Sequence, residues 1–181
     1  MMRKLILLMA VCVLATNVGF TQSRGTDAAA QVRAGEVVPI GDSLFVKASK
    51  TTKPFAGVKV KGDAVVVVLE MDAGKKGATL FYNISANPDA SEVYLVSGAK
   101  KIAPLAVIED FPSWGKDNDK EVDPLDPKET AGGTTLTFEQ KGSIFLLFDV
   151  PPEEAKTAKK LSVALRMVQP KDEQRSFVVV L

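Results

Sequence analysis

The chain has 181 residues, with 23 Lys and Arg against 22 Asp and Glu, no histidine and a single cysteine. Without histidine it cannot build a Ser-His-Asp triad or a zinc or iron site with imidazole ligands. Its near-neutral charge gives no general attraction to nucleic acid or to acidic membranes. From composition we therefore expect no cofactor, no transition-metal site and no nucleic-acid partner.

Residues 1–23 have the three parts of a secretory leader. Arg3 and Lys4 form a positive start, an apolar run follows, and small and polar residues close the segment. The apolar run is too short to span a bilayer, which takes about 20 residues. Cys12 leaves a lipoprotein anchor open as an alternative, but it follows Val11 and lies inside the apolar run. We expect a signal peptide at 1–23 and a periplasmic or secreted product without membrane insertion. That product would lack cysteine, which excludes a thiolate nucleophile and an iron–sulfur cluster.

After the leader, residues 24–35 predict a flexible N-terminal spacer and residues 36–181 a single domain. Apolar runs rich in Val, Ile and Phe alternate there with Gly, Pro, Asn and Asp, which is typical of short strands joined by turns. The predicted strands are 36–40, 43–48, 57–60, 64–71, 78–85, 92–97, 102–108, 134–138, 143–150, 160–168 and 176–181. Residues 151–155 could begin one short helix, because proline suits a first turn. Many short strands without a long amphipathic helix predict an all-β fold, an immunoglobulin-like antiparallel β-sandwich.

Two of the predicted strands are apolar on both faces. Residues 64–69 and 144–148 contain no polar side chain, although the outer face of a sandwich strand is normally polar. Either another segment of the chain or a partner must cover them. The irregular segment 110–133 is the expected cover, with Phe111 and Trp114 lying on the sandwich and forming the rim of a partner site.

The same irregular segment carries a run of acidic residues that could bind calcium. Four of them recur at alternate positions: Asp117, Asp119, Glu121 and Asp123. This spacing is similar to the start of an EF-hand loop. The sixth and twelfth positions, which should be Gly and a bidentate acid, are Val122 and Lys128. We expect a solvated acidic loop, with a weak calcium site as the alternative.

One stretch of the chain resembles a known family. Residues 142–153, a glycine-led apolar strand that ends in Val-Pro, and the strand at 161–165 resemble telokin-like, immunoglobulin-fold bacterial exported domains of unknown function. The valine-rich run 62–70 is similar to the long second strand of that family. The resemblance covers roughly 37–181 and implies a sandwich fold with an exported binding or accessory role. It transfers no catalytic residue.

Two functions follow as hypotheses. The first is an exported, non-enzymatic binding or accessory domain that acts through a sheet face or the 110–133 loop on an envelope or extracellular protein. The second is a hydrolase or lyase that acts on an extracellular polymer through carboxylates and lysines. The adjacent acids Glu109-Asp110 and Glu153-Glu154 are the nearest approach to a catalytic pair, but neighbours of this kind are usually solvated or capping.

Overall fold

The computed structural model describes residues 29–110, 125–126, 132–170 and 172–181. Within them, the apolar runs rich in β-branched residues form strands, as their composition favours. In chain order the strands are β1 (Ala30–Arg33), β2 (Val37–Ile40), β3 (Leu44–Thr51), β4 (Asp63–Asp72), β5 (Ala78–Ile84), β6 (Val93–Ser97), β7 (Lys100–Ile102), β8 (Ala106–Asp110), β9 (Gly132–Phe138), β10 (Lys141–Val150), β11 (Ala158–Gln169) and β12 (Glu173–Val180). The helical content of the described part is one 3-10 turn, Gly74–Lys76. The predicted all-β class is confirmed.

The strands form two sheets. Sheet A has the order β1-β12-β11-β5-β9, and β6 pairs with the first half of β11 and carries β7 on its other side. Sheet B has the order β2-β3-β4-β10-β8. All pairs are antiparallel except β1 with β12, which run parallel at one edge of sheet A. The fold is therefore an antiparallel-dominated β-sandwich, as predicted.

The core lies between the sheets and follows the period of two of a strand. In β4 the residues Val65, Val67 and Leu69 are buried against the opposite sheet, and in β10 Ile144 and Leu146 are their counterparts. The two strands pair over ten residues, from Asp63 opposite Val150 to Asp72 opposite Lys141.

Two predicted elements differ in the structure. Residues 57–60 form no strand but an irregular segment, although Val58 is buried. Residues 151–155, considered as a helix start, form consecutive turns instead. The N–H of Glu154 donates to the carbonyl of Pro151, and the N–H of Thr157 donates to the carbonyl of Glu154. The chain then enters β11 at Ala158, before a helix could develop.

Two further predictions differ from the structure, a spacer that contains a strand and a single strand that is divided. The expected spacer 24–35 contains β1 at Ala30–Arg33, whose Val32 is fully buried in the core. The predicted strand 102–108 is divided between the two sheets, because β7 ends at Ile102 in sheet A and β8 begins at Ala106 in sheet B. Pro104 lies in this crossing and has no N–H for a ladder.

Candidate functional site

The residues singled out in the 110–133 segment fall outside the described part of the chain. They are Phe111, Trp114, Asp117, Asp119, Glu121 and Asp123. Between residues 111 and 131, the structure describes Leu125 and Asp126. The N–H of Leu125 donates to the carbonyl of Leu105 at 2.8 Å, and its half-buried side chain packs against the main core. The segment thus touches the sandwich at this point.

The outer face of sheet B answers the question of what covers the two apolar strands. Val66 of β4, Leu147 of β10 and Ala106 of β8 form a second buried cluster on this face, outside the main core. Val58 completes the cluster from the segment 52–62, and Phe55 packs against it. We call residues 52–62 the cover segment. The cover comes from the same chain, as one of the two expectations had it, but from a segment read as a strand.

A half-buried carboxylate holds the end of the cover segment. Asp149 of β10 accepts hydrogen bonds from the N–H of Gly62 at 2.7 Å and from the N–H of Lys61 at 3.2 Å. The backbone approaches closely here, since a Cβ on Gly62 would collide with the carbonyl oxygen of Val150. The sequence therefore needs a glycine at this position to let the segment fold back on β10.

The other half of the same face stays open. It forms a shallow groove of about 410 Å³, with Val37 of β2 and Phe45 of β3 among its lining residues. Val37 is 62% exposed and Phe45 is 46% exposed, the two highest values among the large apolar residues of the described part. We call this surface the apolar groove. It is a candidate partner surface, because two large apolar side chains are exposed there on neighbouring strands.

Charged side chains border the apolar groove in pairs of opposite sign. Lys47 and Glu70 lie directly opposite each other on β3 and β4, with their charged atoms 2.9 Å apart. Lys141 and Asp72 are opposite on β10 and β4, at 3.5 Å. These exposed pairs contribute little to stability. They leave this surface locally neutral, with Val37 and Phe45 on β2 and β3 beside the charged pairs of β3, β4 and β10.

A polar network ties the turn at 151–157 to the β6–β7 hairpin. The hydroxyl of buried Ser97 donates to a carboxylate oxygen of Glu154, and the other oxygen accepts from Lys100. Thr157 lies 2.6 Å from the Ser97 hydroxyl oxygen. The hydrogen bond from Lys100 is the main cause that lowers the pKa of Glu154, and the bond from Ser97 acts in the same direction. The lysine and carboxylate here are engaged with each other and with the hairpin.

A second polar contact bridges the two sheets. The hydroxyl of Tyr82 in β5 donates to Glu109 of β8, which lies on the inward side of its strand beside the core. Burial is the first cause that raises the pKa of Tyr82 far above its ordinary range, and the Glu109 carboxylate adds to it. Glu109, named above as half of an acidic pair, is thus a hydrogen-bond acceptor for a tyrosine of the opposite sheet.

The described residues contain no cluster of three or more Cys, Asp or Glu that could hold a metal ion. Over the same residues, no helix is long and apolar enough to cross a membrane.

Sequence reasoning missed the apolar groove, although a signal was present. Val37-Val38 in β2 and Leu44-Phe45-Val46 in β3 are consecutive apolar residues in short strands. Since successive side chains of a strand face opposite sides, one member of each run must lie on the outer face. The prediction of an outer apolar face was instead based on the long runs in β4 and β10.

Comparison with known proteins yields likenesses of structure alone. No protein-family model matches the chain, and no curated protein matches it significantly. An uncharacterized β-sandwich protein from Clostridium difficile 630 is similar over 84% of this chain and 94% of its own, with 10% identity and a TM-score of 0.34. A family 123 glycoside hydrolase from Clostridium perfringens is similar over 67% of this chain, with 11% identity and a TM-score of 0.30. This chain spans 21% of that hydrolase.

Proposed function

We propose that this chain is an exported, non-enzymatic binding or accessory domain, and that an envelope or extracellular protein docks on its apolar groove. The export part rests on the leader pattern of residues 1–23, whose removal leaves a product that is soluble in the periplasm or medium. The immunoglobulin-like type of the sandwich belongs to the same proposal and rests on the resemblance of residues 142–153.

The observation that carries the proposal is the exposure of Val37 and Phe45 on the open half of the outer face of sheet B. The chain covers Val66 and Leu147 with its own cover segment and leaves these two side chains in water. Edge strand β2 also offers a partner backbone hydrogen-bonding groups on its free side.

The energy available from these two side chains is appreciable. Complete burial of a Val or Phe side chain contributes about 1.5–3 kcal/mol. Burying the exposed parts of Val37 and Phe45 should contribute about 2 kcal/mol to binding, which corresponds to roughly 30-fold in affinity. Glu154 and Lys100, a carboxylate and a lysine of the described part, are engaged with each other in a structural contact. This favours the binding role over the hydrolase or lyase.

The test is capture from a native envelope extract with three versions of the folded protein. The wild type should retain a specific protein, and a V37S/F45S double variant should lose it with roughly 30-fold weaker binding. The matched control is Val168→Ser, which removes the third large exposed apolar residue, on β11 of the other sheet. The control should bind as the wild type does.

Two results would contradict the proposal. Equal capture by the wild type and the double variant would show that the apolar groove is not the docking surface. Turnover of an extracellular polysaccharide by the purified protein would show that the domain is an enzyme.

A further inference from the structure

A row of cations crosses the outer face of sheet A. The strand register aligns five residues on five neighbouring strands: Arg33 of β1, Val180 of β12, Lys160 of β11, Val96 of β6 and Lys101 of β7. The three cations are exposed and the two valines between them are half-buried. We call these five residues the basic row. The neighbouring residues of the same strands form a wholly apolar line in the core, from Val32 to Ile102, which fixes the outward direction of the row.

The spacing of the basic row follows from the geometry of the sheet. Neighbouring strands lie about 4.8 Å apart, so successive cations are roughly 10 Å apart and the row is about 19 Å long. A valine strand separates each pair of cations, so no two like charges face each other directly. Lys159 lies next to Lys160 at an irregularity in the β6–β11 register, and it adds a fourth exposed positive charge near the middle.

The cations of the basic row form no ion pair with the described part of the chain. No carboxylate of the described residues lies within 4.0 Å of Arg33, Lys101 or Lys160. The outer face of sheet B is different, since Lys47 and Lys141 each have an acid beside them. Lys101 instead lies over the ring of Tyr94, 4.6 Å from its centre, and this contact holds the end of the row in place.

We propose that the basic row binds a linear acidic polysaccharide that lies across the strands. An extended chain with carboxylates at intervals could meet all three cations, and the C–H faces of its sugar rings could rest on Val96 and Val180 between them. The binding itself concerns a different surface from the apolar groove and does not depend on it. The extracellular setting rests on the proposed export.

Other polyanions fit this surface less well. The phosphates of duplex DNA are spaced at about 3.4 Å per strand along the helix axis and wind round that axis, so a straight row of three cations can meet few of them. Single-stranded nucleic acid also needs free aromatic rings for base stacking, and the Tyr94 ring already carries Lys101 on one face. Anionic membranes attract clusters of about four to eight cations, whereas the basic row is mainly a single line.

The test uses polygalacturonate as the probe and calorimetry as the measurement. Three bound cations predict a slope of log affinity against log salt of about −2, so the affinity should fall roughly 20-fold between about 50 and 200 mM salt. The triple variant R33Q/K101Q/K160Q should bind at least about tenfold more weakly at the low salt concentration. A charge-preserving variant, R33K/K101R/K160R, should bind as the wild type does and shows whether the strands tolerate substitution.

A matched control removes the same amount of charge elsewhere. K50Q/K75Q/K76Q replaces three exposed lysines on β3 and the 3-10 turn, and it should bind within about twofold of the wild type. Fully methyl-esterified polygalacturonate, which is uncharged, should not bind.

Three results would overturn the proposal. One is no binding of polygalacturonate by the wild type. Another is equal weakening by both triple variants, which would indicate attraction to overall charge. The third is tighter binding of oligo-dT, or of vesicles rich in phosphatidylserine, with the same dependence on the basic row. Any of these three results leaves the proposal for the apolar groove unaffected, since the V37S/F45S variant keeps all three cations.

Discussion

Replacing Asp149 with alanine should release the cover segment while the two sheets stay folded. Asp149 accepts hydrogen bonds from the N–H groups of Gly62 and Lys61, and an alanine side chain has no acceptor for them. A hydrogen bond to a charged group contributes about 1.5–3 kcal/mol, and the bond to Lys61 is long and exposed. We therefore expect a loss of about 2 kcal/mol in the free energy of unfolding. For a domain of this size that corresponds to a fall in Tm of about 4–8 °C.

Urea unfolding and limited trypsin digestion measure this effect on two levels. Urea gives the change in global stability. Trypsin reports the cover segment itself, because Lys59 and Lys61 are exposed in it and their peptide bonds become cleavable when the segment opens, whereas Lys53 precedes Pro54 and is not cleaved. If opening is fast compared with cleavage, the cleavage rate follows the open population. A change of about 2 kcal/mol should then accelerate cleavage at these lysines roughly 30-fold in D149A.

Asp63→Ala is the matched control, because Asp63 is an exposed acid at the start of β4, beside the same turn. It should unfold within about 0.5 kcal/mol of the wild type. If D149A were also within that margin and its trypsin pattern unchanged, the hydrogen bonds of Asp149 would not hold the cover segment. The apolar contacts of Val58 would then be its main anchor.

Three further changes test other contacts. Tyr82→Phe should leave the phenolate absorbance of the folded protein unchanged at alkaline pH, because burial and Glu109 raise the pKa of Tyr82 and keep it protonated. The contribution of this raised pKa to stability is complete below about pH 10, the ordinary tyrosine pKa, and is lost as the pH rises through the raised value. Glu154→Gln should destabilise the protein at neutral pH, and the difference from the wild type in urea unfolding should shrink as the pH falls below about 4.3, because the hydrogen bond from Lys100 lowers the pKa of Glu154 in the folded state. Gly62→Ala should lower the free energy of unfolding by about 1–3 kcal/mol, since its Cβ would collide with a carbonyl of β10, and thermal unfolding measures this.

The sequence predicts the sandwich well where strand burial is the sole cause of the apolar pattern. In β5 burial alternates from Ala78 to Ile84, and Phe81 is the apolar residue on the outward side of an otherwise alternating pattern. In β4 and β10 the doubly apolar runs correctly indicate strands whose outer face is covered. These elements are long, and their pattern depends on a core that the whole chain shares.

The same reasoning fails where another cause produces the same pattern. Val58 and Val60 alternate with Lys59 and Lys61 as in a half-buried strand, yet they lie on the outside of sheet B. A segment that lies flat on a sheet also buries every second side chain, so periodicity cannot separate the two cases. Strand β1 was not predicted, because its position depends on parallel pairing with β12 at the far end of the chain.

The candidate sites were harder to predict than the fold, because they depend on register between strands that are distant in sequence. Arg33, Lys101 and Lys160 are unremarkable in the sequence, and only the pairing of β1, β12, β11, β6 and β7 places them on one line. Val37 and Phe45 become neighbours in the same way through the β2–β3 pair. A single sequence gives the facing of each strand but not its register, so it can predict that a residue is outside without predicting what lies beside it.

The two outer faces of the sandwich suit ligands of different kinds, and their charge patterns explain why. On sheet B, acids and lysines neutralise one another, so that face exerts little long-range electrostatic attraction. Apolar contact at Phe45 therefore dominates there. On sheet A, the cations of the basic row form no ion pair with the acids of the described residues, which is the basis for proposing a charged and extended ligand there. The sheets lie about 10 Å apart across a continuous core, so one ligand cannot touch both faces. Under the two proposals, the domain would hold an acidic polysaccharide on one side and a protein on the other.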